Sequence, residues 1–177
     1  MCKEFDTVLL TKKFYEDFVF CKQILVKTER VYLMAVVEIE NIKFAIPLKN
    51  RCYGEFSLQT PNATRAQAGL AFTKAVVVSD DSYIDSIVRL YDKEQREFIQ
   101  DSHHVIKTKM NKYVEKYKIK ISQLNDRATV GVYNFCATSA LQYFHQELGL
   151  NLNSNHIINN AGDILVQSGQ IENKIEI

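Results

Sequence analysis

The sequence predicts an α+β fold built on an antiparallel sheet. Three observations carry that prediction. β-Branched, apolar runs crowd the first 78 residues, and 3.6-residue spacing governs much of the chain beyond them. Two of the apolar runs flank a two-residue polar step, as a hairpin requires. The chain has 177 residues, enough for one domain of ordinary size. Residues 1–150 read as that domain, and residues 151–177, rich in Asn and Gln, as a C-terminal extension.

In chain order, residues 5–10 read as a first strand. Thr11 is a helix N-cap, and Phe14, Tyr15 and Phe18 fall at helical spacing behind it. Residues 31–39 (VYLMAVVEI) make a long buried strand, and Glu40-Asn41 a tight turn. Ile42, Phe44 and Ile46 then alternate with Lys43 and Ala45 until Pro47 ends the run. Residues 49–68 read as a polar loop that holds Pro61-Asn62 and ends at Gly69. Residues 72–78 (FTKAVVV) read as another strand. Residues 79–82 supply acids and capping groups for a helix start. Ile84, Ile87, Val88, Tyr91 and Phe98 continue at helical spacing. Val105, Ile106, Met110, Tyr113, Val114 and Tyr117 form a second helical set. No Pro or Gly lies between Gly69 and Gly131, so the two sets form one long helix or two broken ones. Residues 139–148 read as a short helix, capped by Thr138 or Ser139 and stopped by Gly149. In the extension, Ile164, Val166, Ile171, Ile175 and Ile177 dock as a late strand or stay loose.

Composition narrows the function. No apolar run approaches the roughly 20 residues that cross a bilayer, and the N-terminus MCKEFDTVLLTKKF lacks the continuous apolar core of an export signal. Cys2, Cys21, Cys52 and Cys136 include no CxxC pair, and reduced thiols in a cytoplasm are expected. The net charge of +1 names no partner, but local charge does. Between Lys43 and Lys74, Lys43, Lys49, Arg51, Arg65 and Lys74 stand against Glu55, a net of +4. Between Lys107 and Lys120, Lys107, Lys109, Lys112, Lys116, Lys118 and Lys120 stand against Glu115, a net of +5. Aromatics among these cations, Tyr53, Phe56 and Phe72 in one segment and Tyr113 and Tyr117 in the other, offer stacking surfaces beside phosphate contacts. A solvated lysine-rich helix face is the alternative.

Motifs exclude several chemistries. GxxxxGK[ST], GxGxxG, HExxH and GxSxG are all absent. His103 and His104 are adjacent, so a helix points them in different directions and a shared metal is not expected. His145, between Phe144 and Gln146, reads as structural or as a proton carrier near neutral pH. The informative patch is IPLKNRC, residues 46–52, where a strand delivers Lys49, Asn50 and Arg51 to a loop just after Pro47. Thr73-Lys74 and the trio Lys27, Thr28 and Arg30 sit at other strand ends. Brought together by a sheet, these ends form one cationic pocket.

These motifs resemble a known family. ERVYLMAVVEIENIKFAIPLKN followed by AGLAFTKAVVV, with SALQYFH at residues 139–145, resembles the toxins of type III toxin–antitoxin systems. The TenpN branch is nearest, with ToxN and AbiQ more distant, and the likeness covers roughly residues 5–150. It implies a strongly twisted antiparallel sheet partly wrapped by helices, distantly like MazF and Kid. It implies a metal-independent bacterial or phage endoribonuclease without cofactor. The partner would be a small repeat-derived antitoxin RNA that folds as a pseudoknot, fills the groove and closes a symmetric toxin–RNA assembly. Freed toxin would cut cellular or phage RNA and abort infection. One departure stands out: relatives place Ser or Thr-Ser after Pro-Leu, and this chain has Lys49-Asn50.

The expected mechanism uses the substrate's own 2′-hydroxyl as nucleophile, leaving 2′,3′-cyclic phosphate and 5′-hydroxyl ends. Lys49 and Arg51 hold the phosphate, Asn50 orients it, and Lys74 with Thr73 adds a second cation or the leaving-group proton. His145 is the alternative acid–base group. Lys27, Thr28, Arg30 and Tyr53 contact flanking RNA, and Lys107, Lys109, Lys112 and Lys116 carry the antitoxin backbone. A non-catalytic RNA-binding module and a protein-interaction domain remain as other readings.

Overall fold

The hairpin turned by Glu40-Asn41 is the centre of the sheet. The computed structural model describes residues 6–19, 21–24, 34–62, 65–126, 129–150, 156–158 and 164–166. Its strands are β1 (Thr7–Leu10), β2 (Met34–Ile39), β3 (Ile42–Lys49), β4 (Ser57–Gln59), β5 (Gly69–Ala71), β6 (Val76–Val77) and β7 (Ile84–Ile87). Every pairing among them is antiparallel, in the order β4-β5-β3-β2-β1-β7, with β6 also on β3. Glu40 (φ 51°) and Asn41 (φ 64°) both take left-handed dihedrals. A two-residue hairpin loop needs that geometry to match the twist of its strands.

Four helices complete the α+β architecture: α1 (Lys12–Asp17), α2 (Lys93–Asp101), α3 (His103–Asp126) and α4 (Val130–Thr138). Thr11 caps α1 by accepting from the Phe14 N–H at 3.3 Å. α3 buries Ile106, Met110, Tyr113, Val114, Tyr117, Ile121 and Leu124, the stripe its 3.6-residue spacing sets. It lies on β2 and carries α4 on its flank. Burying each large apolar side chain stabilises the fold by roughly 1.5–3 kcal/mol. In the extension, β8 (His156–Ile158) pairs antiparallel with β9 (Ile164–Val166).

Several elements differ from the sequence reading. Pro47 does not end its strand; β3 runs on to Lys49. β3 pairs β6 through Phe44 and Ala45, and β5 through Leu48 and Lys49, so Ile46 and Pro47 fall where it changes partner. The 49–68 loop contains β4, and β5 begins where that loop was expected to end. The apolar run 72–78 splits into a 3-10 turn (Phe72–Lys74) and β6, because continuous apolarity reports burial and not backbone state. Ile84–Ile87 is an edge strand, not a helix start. β1 needs a partner there, and Tyr91, in the same helical pattern, is fully exposed. The helical sets break at Ser102 into α2 and α3. α4 went unread because Val130, Gly131 and Val132 are poor helix formers; its cap, Thr129, accepts from the Val132 N–H. The helix expected at 139–148 is a 3-10 turn (Ala140–Tyr143) followed by turns. Its cap at Ser139 and the left-handed Gly149 (φ 65°) stand as read.

Candidate functional site

The change of partner along β3 builds an arch. The chain pairs Lys49 at Gly69, leaves the sheet through the 3-10 turn, and returns to β3 at Val76–Val77. Lys74 closes that turn, so a strand end and an arch deliver two lysines to one neighbourhood. Gly69 makes this possible. It sits opposite both Lys49 and Gln59, and a Cβ on it would collide with the Leu58 carbonyl oxygen.

Lys74 is partly buried. Its Nζ donates to the Gln23 side-chain oxygen and, at 3.0 Å, to the Thr138 carbonyl. That carbonyl belongs to the last turn of α4, where main-chain acceptors lack helical partners and the helix dipole favours a cation. Burial lowers the Lys74 pKa below the ordinary lysine value, and the Lys49 charge lowers it further. Thr73, beside it, is partly buried.

The loop after β3 is clasped to the strand before β5. The Cys52 N–H donates to the Gln67 carbonyl at 2.8 Å, and the Cys52 thiol to the Gly69 carbonyl at 3.1 Å. Burial raises the Cys52 pKa, partly opposed by Lys49. The Asn50 side-chain oxygen accepts from the Arg65 guanidinium. An arginine only donates, so the bond fixes the side-chain oxygen of Asn50 toward Arg65 and leaves both amide N–H groups as donors. Arg51 is exposed on the same loop, and Tyr53, 64% exposed, donates to the Gln67 side chain. The result is a donor-rich strand end: Lys49, the Asn50 amide, Arg51 and Arg65, with Lys74 across the arch.

His145 stands apart. It is 6% exposed, its Nε2 lies 2.8 Å from the Tyr117 hydroxyl, and Nδ1 has no partner. Burial lowers its pKa to about 4. A buried, neutral ring does not touch a scissile phosphate, and a proton-carrying role near neutral pH is corrected to a core position. Its neighbours are buried polar groups too. Tyr113 donates to Ser139 Oγ at 2.5 Å, and burial raises the Tyr113 and Tyr117 pKa values and pushes Cys136 up to about 12.

The lysines of α3 do not form one face. At 100° per residue, Lys107 and Lys118 fall on one flank of the buried stripe, and Lys109, Lys116 and Lys120 on the other, with Lys112 outermost. Lys116 pairs with Glu55 at 3.0 Å and stacks over Phe56 at 4.7 Å. Lys118 pairs with Glu40 at 3.3 Å. Of the four lysines of α3 expected to contact RNA, Lys109, Lys112 and Lys116 fall within about 60° of one another around the helix, and Lys107 lies on the opposite flank.

Lys27, Thr28 and Arg30 lie outside the described residues. Of the remaining expected groups, the structure gathers Lys49, Asn50, Arg51, Thr73 and Lys74 at one end of the sheet. Arg65 joins them; it was visible only as part of a basic segment. Gln23 and Thr138 join through Lys74, and nothing in their sequence context marks them. Cys21, Cys52 and Cys136 are buried free thiols. Among the described residues, no helix is long and apolar enough to cross a membrane, and no group of three His, Cys, Asp or Glu is placed to hold a metal. No family model matches the chain, and neither a curated protein nor a solved structure is found similar to it.

Proposed function

We propose that this chain is a metal-independent endoribonuclease, a toxin of the type III toxin–antitoxin kind near the TenpN branch, held in check by a small pseudoknot RNA. The observation that carries the reading is the meeting of Lys49 and Lys74, from separate segments, beside an Asn50 amide whose oxygen is held by Arg65. In this reading Lys49, Arg51 and Arg65 grip the scissile phosphate. The Asn50 amide donates to a non-bridging oxygen. The 2′-hydroxyl gives its proton to a solvent water as its oxygen bonds to phosphorus, the bond from phosphorus to the 5′-oxygen breaks, and that oxygen takes a proton from the Lys74 ammonium. A lysine with a lowered pKa is better suited to that transfer than an ordinary one. The antitoxin occupies the same donor-rich end, and the fold belongs with the twisted sheets of ToxN and AbiQ.

The test is cleavage of single-stranded RNA in EDTA, repeated with a 2′-deoxy nucleotide at each cut. Cyclic-phosphate products that vanish on deoxy substitution support the mechanism; cutting of the deoxy substrate defeats it. A non-catalytic RNA-binding module is favoured by one observation: with His145 buried, Lys74 is the one expected proton carrier left at the site. That alternative predicts RNA binding that weakens steeply with salt, and no cleavage.

A further inference from the structure

Gln23 comes after α1 in a succession of tight turns: Cys21 N–H donates to Phe18 O at 3.0 Å and Ile24 N–H to Cys21 O at 2.9 Å. Its main-chain N–H donates to the Tyr143 hydroxyl at 3.2 Å, which ties it to the 3-10 turn after α4. Its side-chain oxygen accepts from Lys74, and the Thr138 carbonyl accepts from Lys74 at 3.0 Å. An ammonium has three N–H donors. Two are consumed here, by acceptors from two different parts of the chain, and the third has no protein acceptor among the described residues. A flexible four-carbon side chain is thereby fixed at its tip.

We propose that Gln23 is the positioning residue for Lys74, holding the ammonium with Thr138 so that one N–H is presented to a phosphate or leaving oxygen of RNA. This rests on the reading of Lys74 as a group that acts on RNA. The choice of amide over carboxylate has a chemical reason. A neutral acceptor orients the ammonium without neutralising it, whereas a carboxylate would form an ion pair and bind the proton more tightly. Gln23 touches neither substrate nor reacting atoms; it acts through Lys74.

The experiment compares wild type, Gln23→Glu and Gln23→Met. Lysine 13Cε resonances are titrated by NMR, with Lys74→Arg to assign the Lys74 signal, and RNA cleavage is followed against pH in EDTA. In Gln23→Glu the Lys74 resonance titrates at least about one pH unit higher than in wild type, and the alkaline limb of cleavage moves up with it. In Gln23→Met, kcat falls about tenfold or more while KM changes little, as expected when orientation is lost and binding kept. An identical Lys74 titration in wild type and Gln23→Glu, with both folded by circular dichroism, overturns the proposal. A Lys74 shift with no cleavage by any of the proteins supports the Gln23–Lys74 coupling and defeats the nuclease reading, so the two fail separately.

Discussion

The strand end around Lys49 and the layer beneath α3 both hold polar groups in partly dry surroundings, and they treat them in opposite ways. Under α3, Tyr113, Ser139, Tyr117 and His145 bond to one another in neutral forms and are sealed from water. At the strand end, Lys49, Arg51, Arg65 and Lys74 are all cationic types, and among the described residues no acid is paired with Lys74. The first arrangement satisfies its hydroxyls and His145 Nε2 within the protein and leaves only His145 Nδ1 without a partner among the described residues. The second leaves donors in excess, which costs stability through mutual repulsion and, on the proposed function, suits the phosphates of RNA. Substitutions under α3 are therefore expected to change stability and leave RNA chemistry alone, and those at the strand end to do the reverse.

The largest test is Lys74→Met. On the proposed function, in which Lys74 donates the leaving-group proton, cleavage should fall by about 10² to 10⁴-fold, with a melting temperature near wild type. Full activity in this variant would erase the contrast between the regions. Gly69→Ala comes next. The new Cβ meets main-chain atoms of Leu58 and Gln59, which cannot swing away, so a destabilisation of about 1–3 kcal/mol is expected in urea unfolding. Because Gly69 pairs with Lys49, cleavage should drop as well, making this the one position where both properties move together.

A pH series probes the buried layer. His145 has a folded pKa of about 4 against an ordinary value of 6.5. The unfolded chain therefore binds a proton that the native state refuses between those values. Its contribution is complete above pH 6.5 and is lost as the pH falls toward 4, at up to about 1.4 kcal/mol per pH unit. Urea midpoints at pH 7, 5.5 and 4.5 measure it, and His145→Gln should flatten that slope. The smallest effect belongs to Lys116→Ala, which removes an exposed ion pair to Glu55 and a cation over Phe56. About 0.5–1 kcal/mol is expected, part of it vanishing in high salt, with cleavage unaffected.

The legibility of the sequence divides along the same line. Local chemistry showed the hairpin, because Glu40-Asn41 lies between apolar runs, and most of the buried stripe of α3: Ile106, Met110, Tyr113, Val114 and Tyr117 are buried as their spacing predicts, whereas Val105 is exposed and Ile121 and Leu124 extend the stripe unread. Thr11, Ser139 and Gly149 were readable as caps and stop for the same reason. Elements that exist only through distant partners were hidden. β7 is extended because β1 lacks a neighbour on that side, and α4 is helical because it packs on α3 despite Val130 and Gly131. In the site, Lys49, Asn50, Arg51 and Lys74 were recognisable from strand ends carrying cations. Gln23 and Arg65 were not, since their roles come from side chains 51 and 15 positions away in the chain. His145 stayed open between a structural and a proton-carrying reading because sequence shows a titratable ring and not its burial, and its buried position favours the structural one.

The change of partner along β3 leaves the Phe72–Ala75 arch anchored at both feet and unpaired at its crown. A residue gained or lost there would shift the reach of Lys74 without forcing either ladder to slip. Descendants of this scaffold therefore have a place where spacing between the two lysines can be retuned by insertion or deletion, while the rest of the sheet tolerates only changes of side chain.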